Sequence, residues 1–248
     1  MALNQAKIIT VTSVKGGTGK SSAVINLAGI LASKQLKTVI VDLDLYSGVI
    51  AASLRLDSPN DIYTLVDDLM NNRFDNIDDY TRKYNDYIDV LAAPLDPRSV
   101  NKIRPKYIDI ILSRLKLKYD VVLIDTNHII DAINLISFDA SDIILYFITN
   151  DLMDLKNMKT MVSIYEDMNI DNYRVILNES INTSYNYNLY EIKNLIGTNV
   201  NYVIPKSFYN RKISEYVYGG KIMTLDKNGQ TTKGGQVLTK IINEIIKK

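Results

Sequence analysis

The chain has 248 residues, of which 46% are hydrophobic and 23% charged, as is ordinary for a soluble globular protein. Its net charge of +1 gives no overall indication of a nucleic acid or an anionic membrane as partner. The absence of cysteine excludes disulfides, iron–sulfur clusters and thiolate zinc sites. No apolar stretch reaches the length of a membrane span, and the first one, Ile8–Val14, ends at once in lysine and glycine. We therefore expect a cytoplasmic protein.

Seven short apolar segments are typical of strands that are buried on both faces, because they are rich in Val, Ile and Leu and alternate little. They are Ile8–Val14, Thr38–Asp42, Tyr87–Ala92, Val121–Asp125, Asp142–Thr149, Arg174–Asn178 and Val200–Ile204. Helical patterns cover Lys20–Lys34, Asp61–Met70, Pro105–Leu117, Leu152–Met168, Tyr187–Leu195, Arg211–Tyr218 and Gln236–Lys247. The alternation predicts an α/β fold, a doubly wound and mostly parallel sheet with helices on both faces, as one domain over residues 1–248. The polar and aromatic segment Asn71–Asp86 is predicted to be a surface insertion.

The strongest motif, Ser13–Ser22, follows the first predicted strand and opens the first predicted helix, which is the context that a P-loop requires. Its glycines permit backbone torsions and a close approach that a Cβ atom would block. Successive N–H groups and the helix N-terminus can then bind the phosphates of ATP. We predict that Lys20 holds the β- and γ-phosphates and that Ser21 binds Mg²⁺. The predicted nucleotide contacts in this loop are Gly16, Gly17, Thr18, Gly19, Lys20, Ser21 and Ser22.

An acidic residue at a neighbouring strand end is the second requirement of such a site, because it must hold the magnesium shell. The segment Val121–Asp125 has four apolar residues followed by a carboxylate. We therefore predict that Asp125 contacts Mg²⁺ through water.

The loop departs from the usual Walker A pattern, because Val14 stands where the first glycine is expected. It matches the deviant form Lys-Gly-Gly-x-Gly-Lys-Ser, with an additional lysine at position 15. In this respect the chain resembles the ParA/MinD family of ATPases. The resemblance implies an ATP-bridged homodimer in which Lys15 crosses the interface to the nucleotide of the partner.

Further site residues are implied by this resemblance. In Val39–Asp44 the second acidic residue, Asp44, is expected to orient the attacking water, and Asp42 to support it near the metal. On the base side, the family often places an asparagine at a strand end against the adenine, which here corresponds to Asn178. Pro205 follows Ile204 as in the family's Ile-Pro turn, whose backbone lies near the base.

Within the family, the sequence Asp42-Leu43-Asp44-Leu45 and the glycine at position 48 resemble the TadZ/CpaE branch. That branch localises and helps to assemble Tad-type (Flp) pili at the cell pole, so pilus-assembly or polar-localisation proteins are the partners that the resemblance implies. Tyr46, Ser47 and Val49 replace the branch's Gln, Phe and Asp, and we therefore expect slow hydrolysis. Many members carry an N-terminal receiver-like domain, which we do not expect in residues 1–248.

Two related functions stay open as alternatives. A DNA-segregation ATPase of the ParA type would need a basic surface, to which the basic stretch Arg98–Lys118 could contribute. A membrane-associated positioning ATPase of the MinD type would need an amphipathic tail, and Val237–Ile246 has the apolar spacing of one. We favour a last helix packed on the sheet, since no aromatic residue anchors that face. His128, the only histidine, is given no role.

The stretch Asp57–Asp79 is acidic, and it complements the basic stretch Arg98–Lys118. Two solvated helix faces are the simpler interpretation. The alternative is a pair of patches for self-association or for a partner.

Overall fold

The fold is described from a computed structural model, which covers residues 6–181, 184–208 and 216–247. The strands are β1 Lys7–Thr12, β2 Thr38–Leu43, β3 Arg82–Lys83, β4 Ile88–Leu91, β5 Val121–Thr126, β6 Ile143–Ile148, β7 Tyr173–Asn178 and β8 Tyr202–Ile204. The α-helices are α1 Lys20–Ser33, α2 Ile50–Ser53, α3 Ile62–Met70, α4 Pro105–Lys116, α5 Ala132–Ala140, α6 Leu152–Asp167, α7 Leu189–Ile196, α8 Lys227–Thr231 and α9 Lys233–Ile246.

All these strands belong to one sheet with the order β3-β4-β2-β5-β1-β6-β7-β8. Every neighbouring pair is parallel except β3 with β4, so the predicted mostly parallel sheet is confirmed. In such a sheet the carboxyl ends of the parallel strands meet at one edge, where ligands bind in open α/β folds. Ser13 and Asp44 follow β1 and β2 at this carboxyl edge, and Asp125 and Asn178 lie in the last residues of β5 and β7.

Helices cover both faces of the sheet. On one face α1 and α9 pack together, and the apolar side chains Leu238, Ile241 and Ile242 of α9 are fully buried. On the other face α3 and α4 cover β2, β4 and β5, while α6 and α7 cover β6 and β7. The prediction that the last helix packs on the sheet is therefore confirmed. Over residues 6–181, 184–208 and 216–247, every helix is too short or too polar to cross a membrane.

The insertion predicted at Asn71–Asp86 is only partly a surface feature. Ile77 and Tyr80 are buried against the core beneath α3 and α4, and β3 extends the sheet by one antiparallel strand. Lys118 forms an ion pair with Asp78. The acidic and basic stretches therefore meet within one chain at this point.

Three helices were not predicted from the sequence, namely α2, α5 and α8. In α5 two polar side chains, Asn134 and Ser137, occupy the buried face, so the apolar 3.6-residue period is missing. The predicted helix Arg211–Tyr218 lies mostly outside the described residues.

Candidate functional site

The loop between β1 and α1 has the backbone that its glycines predict. Gly17 and Gly19 adopt positive φ angles of 76° and 88°, a region that favours glycine. Gly19 is the N-cap of α1 and has no side chain to satisfy the first N–H groups of the helix. A Cβ atom at Gly19 would also lie 2.6 Å from Nδ2 of Asn178. The loop therefore presents open N–H donors at a helix N-terminus, an arrangement that suits an anion.

Lys20, the first residue of α1, is buried although its side chain carries a charge. Burial lowers the pKa of its ammonium group, whereas Asp125, Asp44 and Asp154 nearby raise it. Ser21 and Ser22 follow in the first turn of the helix and are half-buried. The structure thus places Lys20, the predicted phosphate-binding lysine, near the predicted site residues Asp125 and Asp44.

Asp125 is the second-last residue of the buried strand β5 and is 1% exposed. Neither of its carboxyl oxygens has a hydrogen-bond partner among the described residues. Burial raises its pKa to about 7, while the nearby Ser21 hydroxyl and the Lys20 ammonium act in the opposite direction. A buried carboxylate without partners is rare because desolvation is not compensated, and such a group is suited to bind a cation.

Asp42 lies beside Asp125 in the sheet, because the register of β2 and β5 pairs the two residues. Burial and the negative charge of Asp125 raise the pKa of Asp42 well above its ordinary value. Its Oδ1 accepts the Asp44 N–H at 3.2 Å, and its Oδ2 accepts the Ile50 N–H at 3.1 Å. Gly48 allows this approach, since a Cβ atom there would lie 2.7 Å from Oδ2. In this structure Asp42 holds the loop that carries Asp44.

Lys15 forms an ion pair with Asp151 at 3.0 Å, and both side chains are partly exposed. Asp151 is also the N-cap of α6, where it accepts the N–H groups of Met153 and Asp154. The Lys15 hydrogen bond accordingly lowers the pKa of Asp151. Sequence reasoning did not identify this acidic partner.

Asp154 is a second acidic residue that sequence reasoning missed. It is fully buried, and its Oδ2 accepts the N–H and the hydroxyl of Thr149 at 2.7 and 2.8 Å. Burial raises its pKa to about 6. The only sequence signal is an acid at the third position of a helix that follows a buried strand.

Asn178, the last residue of β7, is fully buried and makes contacts other than those expected of an adenine-binding residue. Its Nδ2 donates to the carbonyl oxygen of Thr18 at 2.9 Å, and its Oδ1 accepts the Ser180 N–H at 3.2 Å. The neighbouring strand β8 ends at Ile204, which the register pairs with Asn178, and Pro205 follows directly. The two residues predicted for the base side are therefore neighbours at the carboxyl edge, and one of them contacts the phosphate loop.

The predicted Mg²⁺ fits this donor set. The described residues contain no group of three or more Asp, Glu or His side chains that could form an all-protein metal cage. Mg²⁺ in nucleotide sites is held instead by one or two protein ligands together with phosphates and water. The unpartnered carboxylate of Asp125 and the nearby hydroxyl of Ser21 match that requirement.

Comparison with known proteins bears on the fold and on the family. MinD of Helicobacter pylori is 28% identical over 161 residues, which are 65% of this chain and 59% of that protein. A ParA-family ATPase from Chlorobium tepidum superposes with a TM-score of 0.82 at 18% identity, covering 95% of this chain and 98% of that one. MinD of Pyrococcus horikoshii, solved with Mg-ADP, gives a TM-score of 0.77 at 21% identity, covering 97% and 96%. Residues 9–216 match the CbiA family, described as the CobQ/CobB/MinD/ParA nucleotide-binding domain. The chain belongs to this CobQ/CobB/MinD/ParA family.

Proposed function

We propose that this protein is an ATP-binding switch of the deviant Walker A type, which dimerises around its nucleotide and hydrolyses it slowly. The observation that carries the proposal is the buried pair of Lys20 and the unpartnered Asp125 beside a glycine loop at a helix N-terminus. These groups are complementary to a polyphosphate and a divalent cation, and no core-packing role requires them.

Lys20 would bind the β- and γ-phosphates. Its desolvated ammonium attracts an anion more strongly than a solvated one would, because the local dielectric constant is low. Ser21 and Asp125 would hold Mg²⁺, which when bound supplies positive charge to the phosphate oxygens.

Asp44 would accept a hydrogen bond from the attacking water. The loop that follows it offers two further polar side chains, Tyr46 and Ser47. The Tyr46 hydroxyl donates instead to Asn101 Oδ1 at 3.1 Å. Losing one orienting contact lowers the rate about 30- to 1000-fold, so we expect turnover well below about 1 per second.

A steady-state phosphate-release assay tests the slow switch. We expect turnover well below about 1 per second for the wild type and a further decrease for Asp44→Ala. Asp109→Ala, at an exposed position of α4, is the matched control and should leave the rate unchanged. Turnover near about 1 per second without a partner would contradict slow hydrolysis.

The homodimer is proposed because Lys15 stands at the carboxyl edge on an exposed part of the loop. Val49, Ile129 and Met153, which follow the carboxyl ends of β2, β5 and β6, are 45%, 57% and 57% exposed. A second copy that covered them would remove apolar surface from water. ATP would then bridge the two copies.

For the cellular role we propose the organisation of an assembly, with Tad-type pilus assembly suggested by the Asp42-Leu43-Asp44-Leu45 segment. The similarity to MinD of Helicobacter pylori favours a membrane-associated positioning ATPase as the second candidate. The burial of α9 weakens that alternative, since its apolar face is already covered. In a liposome flotation assay with ATP we expect the protein to stay with the soluble fraction. Flotation that depends on α9 would favour the MinD-like role.

A further inference from the structure

The helical layer over β1 and β6 has a gap between α5 and α6. Helix α5 packs against α4, and α6 packs against α7, whereas α5 and α6 make no comparable contact with each other. Each of the two helices therefore presents a side that no helix of the described chain covers.

This gap is a groove with two neighbouring cavities of about 310 and 270 Å³ that share part of their lining. Both cavities are lined by Ile130, Phe138, Met161 and Ile164. One end lies against the phosphate loop, where Asn157 Nδ2 donates to the carbonyl oxygen of Val14 at 3.3 Å. The other end reaches Met168 and Asn172. From Asn157 to Met168 the groove follows α6 for about 17 Å, the length of three helical turns.

The walls of the groove expose large apolar side chains to solvent. Ile130, Leu135, Ile164 and Met168 are 52%, 48%, 39% and 62% exposed. Single exposed apolar residues are common, but a contiguous row along a groove indicates a binding surface. The two methionines of the groove can adapt their side chains to an apolar partner.

The end of the groove at Met168 is acidic. Asp139 lines the groove, and Asp167 and Asp171 are exposed next to its lining residues Met168, Ile170 and Asn172. The Arg174 guanidinium donates to the carbonyl oxygens of Asp171 and Tyr173, but none of the three carboxylates forms an ion pair within the described part of the chain. Lys156 and Lys159 lie in the first half of α6, away from this end. A complementary partner would therefore carry positive charge here.

We propose that this groove binds an amphipathic α-helix of a partner protein. The apolar face of that helix fills the space between α5 and α6, and its Lys or Arg residues lie over the acidic end. This is the helix-in-groove mode of peptide recognition, in which residues at helical spacing serve as anchors. The proposal concerns a surface beside the nucleotide site and does not depend on ATP binding.

The test uses two fluorescent 14-residue helical peptides with the same leucine pattern, one with lysine and one with glutamate at the polar positions. Each is titrated with the full chain in the absence of nucleotide, and anisotropy is measured. We expect the lysine peptide to bind at least about tenfold more tightly than the glutamate peptide. Leu135→Glu and Ile164→Glu should each weaken the lysine peptide at least about tenfold, because they place a carboxylate among its apolar anchors.

Ile110→Glu is the matched control, since Ile110 is 38% exposed on α4 outside the groove. The double variant Asp139→Lys with Asp167→Lys should reverse the preference between the two peptides. Equal affinity for both peptides, or an equal loss with Ile110→Glu, would overturn the proposal. Groove variants that change the monomer–dimer equilibrium in sedimentation, but not peptide binding, would overturn it in favour of a second copy. Urea unfolding of each variant separates these outcomes from misfolding.

Discussion

The carboxyl edge of the sheet has two halves that differ in charge and in how the chain builds them. The phosphate half, at the ends of β1, β2 and β5, contains the buried charged residues Lys20, Asp42 and Asp125. The base half, at the ends of β7 and β8, contains the neutral residues Asn178 and Pro205. The two halves meet where Asn178 contacts the carbonyl of Thr18. Short contiguous segments of sequence form the phosphate half. In the base half, by contrast, the role of Asn178 depends on its contact with a segment that is distant in sequence.

The largest effect is expected from Lys20→Ala in the phosphate half. The substitution removes a desolvated cation from the phosphate loop. ATP affinity should fall about 1000-fold or more, as for the loss of a buried charge-assisted contact worth about 4 kcal/mol. Calorimetric titration measures it, with Lys159→Ala on the exposed face of α6 as control. Unchanged affinity would contradict the proposal that Lys20 binds the phosphates of ATP.

Asp125→Asn tests whether the pKa of Asp125 in the phosphate half is raised. The folded-state pKa of Asp125 is raised to about 7 from 3.8. Between these two pH values the folded protein therefore holds a proton that the unfolded chain has lost. Its contribution to stability is present at low pH and is lost as the pH rises through about 7. Without nucleotide or Mg²⁺, the free energy of unfolding of Asp125→Asn should therefore rise relative to that of wild type between about pH 5 and pH 8, by on the order of 1–3 kcal/mol.

Denaturant unfolding at the two pH values measures this difference. Asp109→Asn, which changes an exposed carboxylate on α4, is the control and should show none. A pH-independent difference between Asp125→Asn and wild type would mean that Asp125 is charged throughout.

Asn178→Ala tests which half of the site Asn178 serves. Its loss leaves the buried Thr18 carbonyl without a donor, at a cost of about 1–3 kcal/mol, and loosens the phosphate loop. We expect ATP and inorganic tripolyphosphate, which has no base, to lose affinity by the same factor of about ten. Asn172→Ala is the matched control and should leave both affinities unchanged. Asn172 also donates to a backbone carbonyl at 2.9 Å, but it lies at the amino end of β7, away from the site. A loss of affinity for ATP alone would instead support the prediction that Asn178 contacts the adenine.

The smallest effect is expected from Asp151→Asn, which breaks the ion pair between Lys15 and Asp151. Exposed pairs contribute at most about 1 kcal/mol, so freeing the lysine with Asp151→Asn should strengthen ATP-dependent dimerisation about two- to fivefold. Asparagine caps a helix about as well as aspartate, so α6 should stay intact. Lys15→Ala should instead bind ATP but fail to dimerise. Sedimentation velocity distinguishes these results, and normal dimerisation of Lys15→Ala would contradict the role across subunits.

The sequence predicted the fold, and it predicted which residues of the phosphate half lie close together, because both depend on contiguous patterns. The buried apolar runs fix β1, β2 and β5, and the glycine loop lies directly between β1 and α1. Long-range contacts were not predictable in this way. Asn178 and Thr18 are 160 residues apart in sequence, and a strand-end asparagine gives no indication of the carbonyl it will meet.

The start of α9 shows a second limit of prediction. The sequence pattern predicts a helix over Gln236–Lys247, but the helix begins at Lys233, ahead of two glycines. Gly234 and Gly235 are required there by packing: a Cβ atom at Gly234 would lie 2.2 Å from the Phe208 ring. A glycine that a close approach requires and a glycine that ends a helix look the same in one sequence.

Calorimetric titration of ATP into the wild-type protein, with and without Mg²⁺, tests the central claim most directly. The account predicts one site per chain with a dissociation constant on the order of micromolar in the presence of Mg²⁺. It also predicts a clear loss of affinity without the metal, because Asp125 and Ser21 then lack the cation that joins them to the phosphates. The absence of binding at millimolar ATP with Mg²⁺ present would contradict the account.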